Sequence, residues 1–107
     1  MLEKHLSYLK KKYNIVLPGE TPAPFQVNIC LSFDDAYFDF YHFVFPLLKK
    51  LNIKALLAVP VKYILESTTL DPDTRLSVSH KLAANDEIYQ SFAPFCTWKE
   101  LNEMANS

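Results

Sequence analysis

Glycine is almost missing from this sequence: Gly19 stands alone among 107 residues. That excludes a glycine-rich phosphate cradle, whose close backbone approach to the ligand needs several. An excess of one charge is missing too. With 11 basic and 12 acidic side chains, there is no cationic footprint for nucleic acid or anionic lipid. No apolar run approaches the roughly 18 residues of a membrane span. Cysteine is scarce: Cys30 and Cys96 lie far apart in no metal or redox spacing, and read as two buried free thiols in a reducing compartment. Glu3, Lys4 and His5 fall where a secretory leader needs an apolar stretch. Together these absences point to a cytoplasmic protein with no nucleic-acid partner and no membrane span.

What is present suits one small α/β domain with a core, since 50% of the residues are apolar. Leu2, Leu6, Leu9 and Tyr13 recur at helical steps with lysines between them, which predicts an amphipathic leader helix. Asn14 to Leu17 reads as a short extended piece, followed by the Pro-rich connector Pro18 to Pro24. Val27 to Phe33 is nearly all apolar and reads as a strand buried on both faces, as in a parallel sheet. Phe38, Tyr41, Phe45 and Leu48 return at helical spacing, with Pro46 predicting a kink or restart and Asn52 a cap. Ile53 to Val59 is a second buried strand, completing a βαβ unit. Val61 to Leu65 allows a helical turn, Asp71-Pro72-Asp73 marks a turn, and Leu76 to Ala84 suits a short helix. Thr97-Trp98-Lys99-Glu100 is a capping box that opens a last helix.

The chemistry concentrates at Asp34 and Asp35, two adjacent carboxylates delivered at the end of the first apolar strand. Ligand-binding groups of parallel α/β architectures sit at that C-terminal end. Paired carboxylates there suit proton transfer, metal ligation or both. The plainer alternative has Asp34 capping the next helix and Asp35 pairing with a lysine.

Ser32-Phe33-Asp34-Asp35-Ala36-Tyr37, followed by Pro46-Leu47-Leu48-Lys49-Lys50-Leu51-Asn52-Ile53-Lys54-Ala55, resembles the opening of the polysaccharide deacetylase (NodB-homology, carbohydrate esterase family 4) domain. Trp98 to Ser107 resembles the helix that in the family precedes a His-x-x-x-His motif. The resemblance implies the N-terminal part of a distorted (β/α) barrel of about seven strands, of which residues 26–107 would supply two or three after a 1–25 leader and connector. It implies metal-dependent hydrolysis of N-acetyl or O-acetyl groups on a carbohydrate. Asp34 would be the catalytic base and Asp35 a ligand to zinc, cobalt or nickel, with Ala36 and Tyr37 near the substrate.

Two departures qualify that expectation. Ala36 stands where the family has glycine, which should keep the backbone out of glycine-only conformations and add a methyl to the site floor. The His-x-x-x-His motif is missing, and His5, His42 and His80 do not offer two ligands at its spacing. The expected protein is therefore a truncated deacetylase, inactive on its own, that self-associates through exposed sheet edges. The alternative is a non-catalytic interaction module or the remnant of a disrupted deacetylase gene. A phosphorelay receiver is excluded, because no later strand end carries a phospho-acceptor aspartate.

Overall fold

The computed structural model describes residues 2–107. The leader forms helix α1, Leu2–Lys12, which turns Leu6 inward and leaves its lysines to solvent. Lys10 donates to the Leu51 carbonyl, and an exposed ion pair joins Glu3 to Lys50 at 3.0 Å. Exposed pairs of this kind contribute at most about 1 kcal/mol, so the seating of α1 depends chiefly on Leu6.

The long strand expected over Val27 to Phe33 is broken. Strand β1 (Asn14–Ile15) pairs in parallel with β2 (Asn28–Ile29), whereas β3 (Ser32–Phe33) pairs in parallel with β4 (Leu56–Leu57). The hydrogen bonds show why no barrel results. The Val27 and Ile29 carbonyls accept from Asn14 and Val16, and those of Leu31 and Phe33 accept from Leu56 and Ala58. Alternate carbonyls of a strand share one edge. Here β1 pairs only with the piece before the break and β4 only with the piece after it, so neither piece has a strand on each edge. A closed barrel needs a neighbour on each edge of every strand. The barrel expectation is corrected accordingly: among the described residues the fold is a small α/β arrangement with two separate two-stranded sheets. Burial on both faces is corrected too, because Val27 is 60% exposed and Ser32 also faces solvent.

The βαβ crossover itself is present as the parallel pair β3–β4 with a helix between. That helix has two parts, a π-helical segment over Phe40–Val44 and helix α2 over Phe45–Leu51. Pro46 explains the junction. It cannot donate to the carbonyl four residues back, and just ahead of it the Phe45 N–H bonds to the Phe40 carbonyl, one residue wider than an α turn. Helix α2 ends at Asn52, left-handed at φ 55°, with its N–H bonded to the Leu48 and Lys49 carbonyls. Leu6, Phe40, Leu48 and Ile53 form the first core cluster, covered by Phe33, Leu57 and Met104 among others.

A second cluster, Ile64, Ala83 and Phe95, belongs to the later part of the chain. Val61–Tyr63 is a 3-10 turn, within the helical turn expected there. Asp71-Pro72-Asp73 is the start of helix α3 (Pro72–Leu76), which corrects the expected turn. Asp71 caps this helix by accepting from the Thr74 N–H and hydroxyl, and Pro72 takes the first helical position. The helix expected over Leu76 to Ala84 is only α4, His80–Ala83. Helix α5, Ile88–Phe92, then ends at Ala93 with φ 45°. Helix α6, Trp98–Ala105, opens with the expected capping box between Thr97 and Glu100.

Arg75 ties these pieces together. It is 4% exposed and donates to the Ala93 carbonyl (2.8 Å), the Phe95 carbonyl (2.9 Å) and both Glu100 oxygens (2.7 and 2.8 Å). Its guanidinium lies 3.7 Å from the centre of the Phe38 ring. Burial alone would raise the Glu100 carboxyl, but bonds from Arg75 and the Thr97 backbone hold it below the ordinary carboxylate value. The Cα radius of gyration, 15.4 Å, exceeds the roughly 13 Å expected of a compact domain this long. The excess fits two clusters side by side rather than one closed core.

Candidate functional site

Asp34 and Asp35 follow β3 directly, at the C-terminal end of the parallel pair, as the strand pattern predicts. Asp35 and Ala36 are both left-handed, at φ 68° and 45°. Two successive non-glycine residues in this region store strain of order 1 kcal/mol or more each. The expectation for Ala36 is thereby corrected. It takes a conformation that favours glycine, and its methyl is fully buried beneath the turn.

The turn is held from the other side of the molecule. The Ala36 carbonyl accepts from the Cys96 N–H at 2.8 Å, and the Phe38 N–H donates to Pro94 at 2.7 Å. Tyr37 and Phe95 form an antiparallel bridge between these bonds. Cys96 is fully buried there, its thiol pushed up to about 12 by desolvation and then by the nearby Glu100 charge, so it is inert as a nucleophile. Cys30 is exposed, which corrects the expectation of two buried thiols.

The two carboxylates face outward, and among the described residues neither caps a helix nor forms an ion pair. The plainer reading, a helix cap and a lysine pair, is therefore not what the turn is built for. A pocket of about 310 Å³ opens beside them, walled by Phe33, Tyr37, Phe40 and His80. Tyr37 stacks on His80 at 3.6 Å between ring centres and 3° between planes, and on Phe95 at 5.0 Å. Partial burial, then the neighbouring Asp35 carboxylate, pushes the Tyr37 phenol up, so it stays a protonated donor. Its hydroxyl donates to the His80 carbonyl at 3.4 Å. The His80 Nε2 in turn lies 2.7 Å from the Asp39 carboxylate.

Asp39 and His80 were not legible as site residues. They lie 41 positions apart, and His80 falls in a stretch with no clear periodicity. His42, on the π-helical segment, lies against Phe38 and Phe43 instead.

The metal centre implied by the resemblance does not fit the residues present. Among the described residues no three His, Cys, Asp or Glu side chains come together in a group that could hold a metal ion. The expectations of metal binding and of a barrel are both corrected for this chain. No family model matches the sequence, and no curated protein matches it, so classification as a NodB-type hydrolase gains nothing from comparison. No helix among the described residues is long and apolar enough to cross a membrane.

Proposed function

We propose that this chain carries the aspartate-bearing part of a carbohydrate deacetylase, a hydrolase removing N-acetyl or O-acetyl groups, and that turnover needs groups the chain does not supply. One observation carries the reading: two adjacent, exposed carboxylates, in no ion pair among the described residues, on a strained turn at the C-terminal end of a parallel strand pair, beside an aromatic-walled pocket. A strained turn that holds two exposed carboxylates without an ion-pair partner among the described residues supports a role beyond stability. In that role Asp34 takes a proton from the water that attacks the acetyl carbonyl and passes it to the departing sugar nitrogen or oxygen, so that the amide or ester bond breaks and acetate is released. Asp35 offers one further oxygen ligand or acceptor to whatever completes the site. The resemblance over Ser32 to Ala55 supports the same assignment.

The 107-residue chain alone should release no detectable acetate from N-acetylglucosamine oligomers and should hold zinc, cobalt or nickel weakly. Joined to a segment that supplies the missing groups, it should gain acetate release. In that longer protein Asp34→Asn should abolish turnover, and Asp35→Asn should lower it. Acetate release by the 107-residue chain itself, lost in Asp34→Asn, would overturn the fragment reading.

A second reading, a non-catalytic interaction module, is favoured by an apolar groove of about 660 Å³ between α2, β4 and α6, lined by Leu48, Leu57, Leu101 and Met104. Self-association through this groove or the open strand edge would make the chain elute larger than a monomer. Elution as a monomer would leave this reading without its main support.

A further inference from the structure

His80 is restrained more tightly than an exposed histidine needs to be. Two contacts fix its ring: the Asp39 carboxylate at 2.7 Å from Nε2, and the parallel stack on Tyr37 at 3.6 Å. Even so, 55% of the side chain stays open, and it forms a wall of the Asp34/Asp35 pocket. A surface histidine held by a carboxylate and an aromatic ring loses rotamer freedom with little burial in return. Placement of the ring for a ligand accounts for that arrangement.

The tautomer follows from the donor inventory. An ionised carboxylate only accepts, so the Asp39 contact puts the proton on Nε2. The other ring nitrogen, Nδ1, is left to bond a sugar hydroxyl, which can donate to it or accept from it. Asp34 and Asp35 add acceptors to the same pocket, and the outer face of the His80 ring, backed by Tyr37, adds a flat surface. Acceptors beside an aromatic face match a pyranose, which offers hydroxyl donors around its rim and C–H groups on its face. An anionic ligand would meet three carboxylates there and be repelled.

We propose that His80, positioned by Asp39 and Tyr37, is a substrate-contacting residue of this pocket, receiving a sugar ring on its open side and a sugar hydroxyl at Nδ1. The assignment rests on the carbohydrate reading of the aspartate pair and names a residue that the opening motif does not contain. It also gives Asp39 a role as the positioning partner of His80.

The test is a titration of the 107-residue chain with N,N′-diacetylchitobiose, followed by NMR at the His80 and Tyr37 rings and the Asp34 and Asp35 amides. Saturable shifts at all of them are expected. Affinity should fall about fivefold in His80→Ala and about twofold in His80→Phe, the loss of a contact set and of one hydrogen bond respectively. The phenylalanine variant keeps a ring against Tyr37 and decides the matter if the alanine variant loosens α4. Saturable shifts at Asp34 and Asp35 with unchanged affinity in both variants would overturn the His80 assignment and leave the carbohydrate reading standing. No saturable shift at any of these groups would overturn both.

Discussion

The cluster around Leu6, Phe40, Leu48 and Ile53 is held by apolar side chains, whereas the one around Ile64, Ala83 and Phe95 is organised by a buried cation. In the first, α1, α2 and the β3–β4 pair bring together residues already spaced for burial. In the second, short helices of four to eight residues could not stand alone, and Arg75 of α3 ties the α5–α6 connection and α6 to its own helix through four hydrogen bonds. Two regions of one small chain thus reach stability by different physics. Apolar burial tolerates partial loss, while a buried ion pair fails abruptly when one partner goes.

The sharpest way to break this comparison is Arg75→Ala. It strands the Glu100 carboxylate and the Ala93 and Phe95 carbonyls, and should cost about 3–5 kcal/mol. Hydrogen exchange should show the loss in residues 64–105, with the β3–β4 amides less affected. Leu48→Ala, which removes a side chain 6% exposed, should cost about 2–4 kcal/mol and reverse that pattern. Equal loss of protection across both regions in either variant would mean that the clusters unfold as one unit.

Acid should separate the regions next. The folded Glu100 carboxyl lies below its ordinary value of 4.5. Folding and deprotonation therefore favour one another: the contribution is complete above about pH 4.5 and fades as pH falls through the lower folded value. Chemical denaturation between pH 6 and pH 3 should show this slope in the native chain and a flatter one in Glu100→Gln. Equal slopes would remove Glu100 as the acid-sensitive group.

The smallest effect is expected at the aspartate turn. Asp34 is exposed and makes no ion pair among the described residues, so Asp34→Asn should shift stability by no more than about 0.5 kcal/mol in thermal unfolding. A larger loss would make Asp34 a structural residue and weaken its assignment as a base.

The two regions also differ in how far they could be read from the residues. The βαβ crossover was legible because two apolar runs flank residues at helical spacing from Phe38 to Leu51, and Pro46, Asn52 and the Thr97–Glu100 box act within a few residues; the expected burial of both strands was not met, since Val27 is 60% and Leu56 42% exposed. The break at Cys30 was not legible, since it depends on which strand each carbonyl finds. Nor was the Arg75–Glu100 pair, 25 positions apart, or the Asp71 cap, whose Asp-Pro signal suits a turn equally well. At the site, the aspartates were visible as an interruption of an apolar run. Asp39 and His80 were not, because only the folded chain brings α4 against Tyr37.

The placement of the two thiols gives this molecule an internal clock. Cys30 sits open beside the first sheet, while Cys96 is sealed against Tyr37, its sulfur 3.3 Å from the Tyr37 carbonyl. An alkylating reagent will meet Cys30 at once, and Cys96 only when the 93–97 segment lifts away from the aspartate turn. The lag between the two modifications times the opening of the segment that braces Asp34 and Asp35, with no label added to the chain.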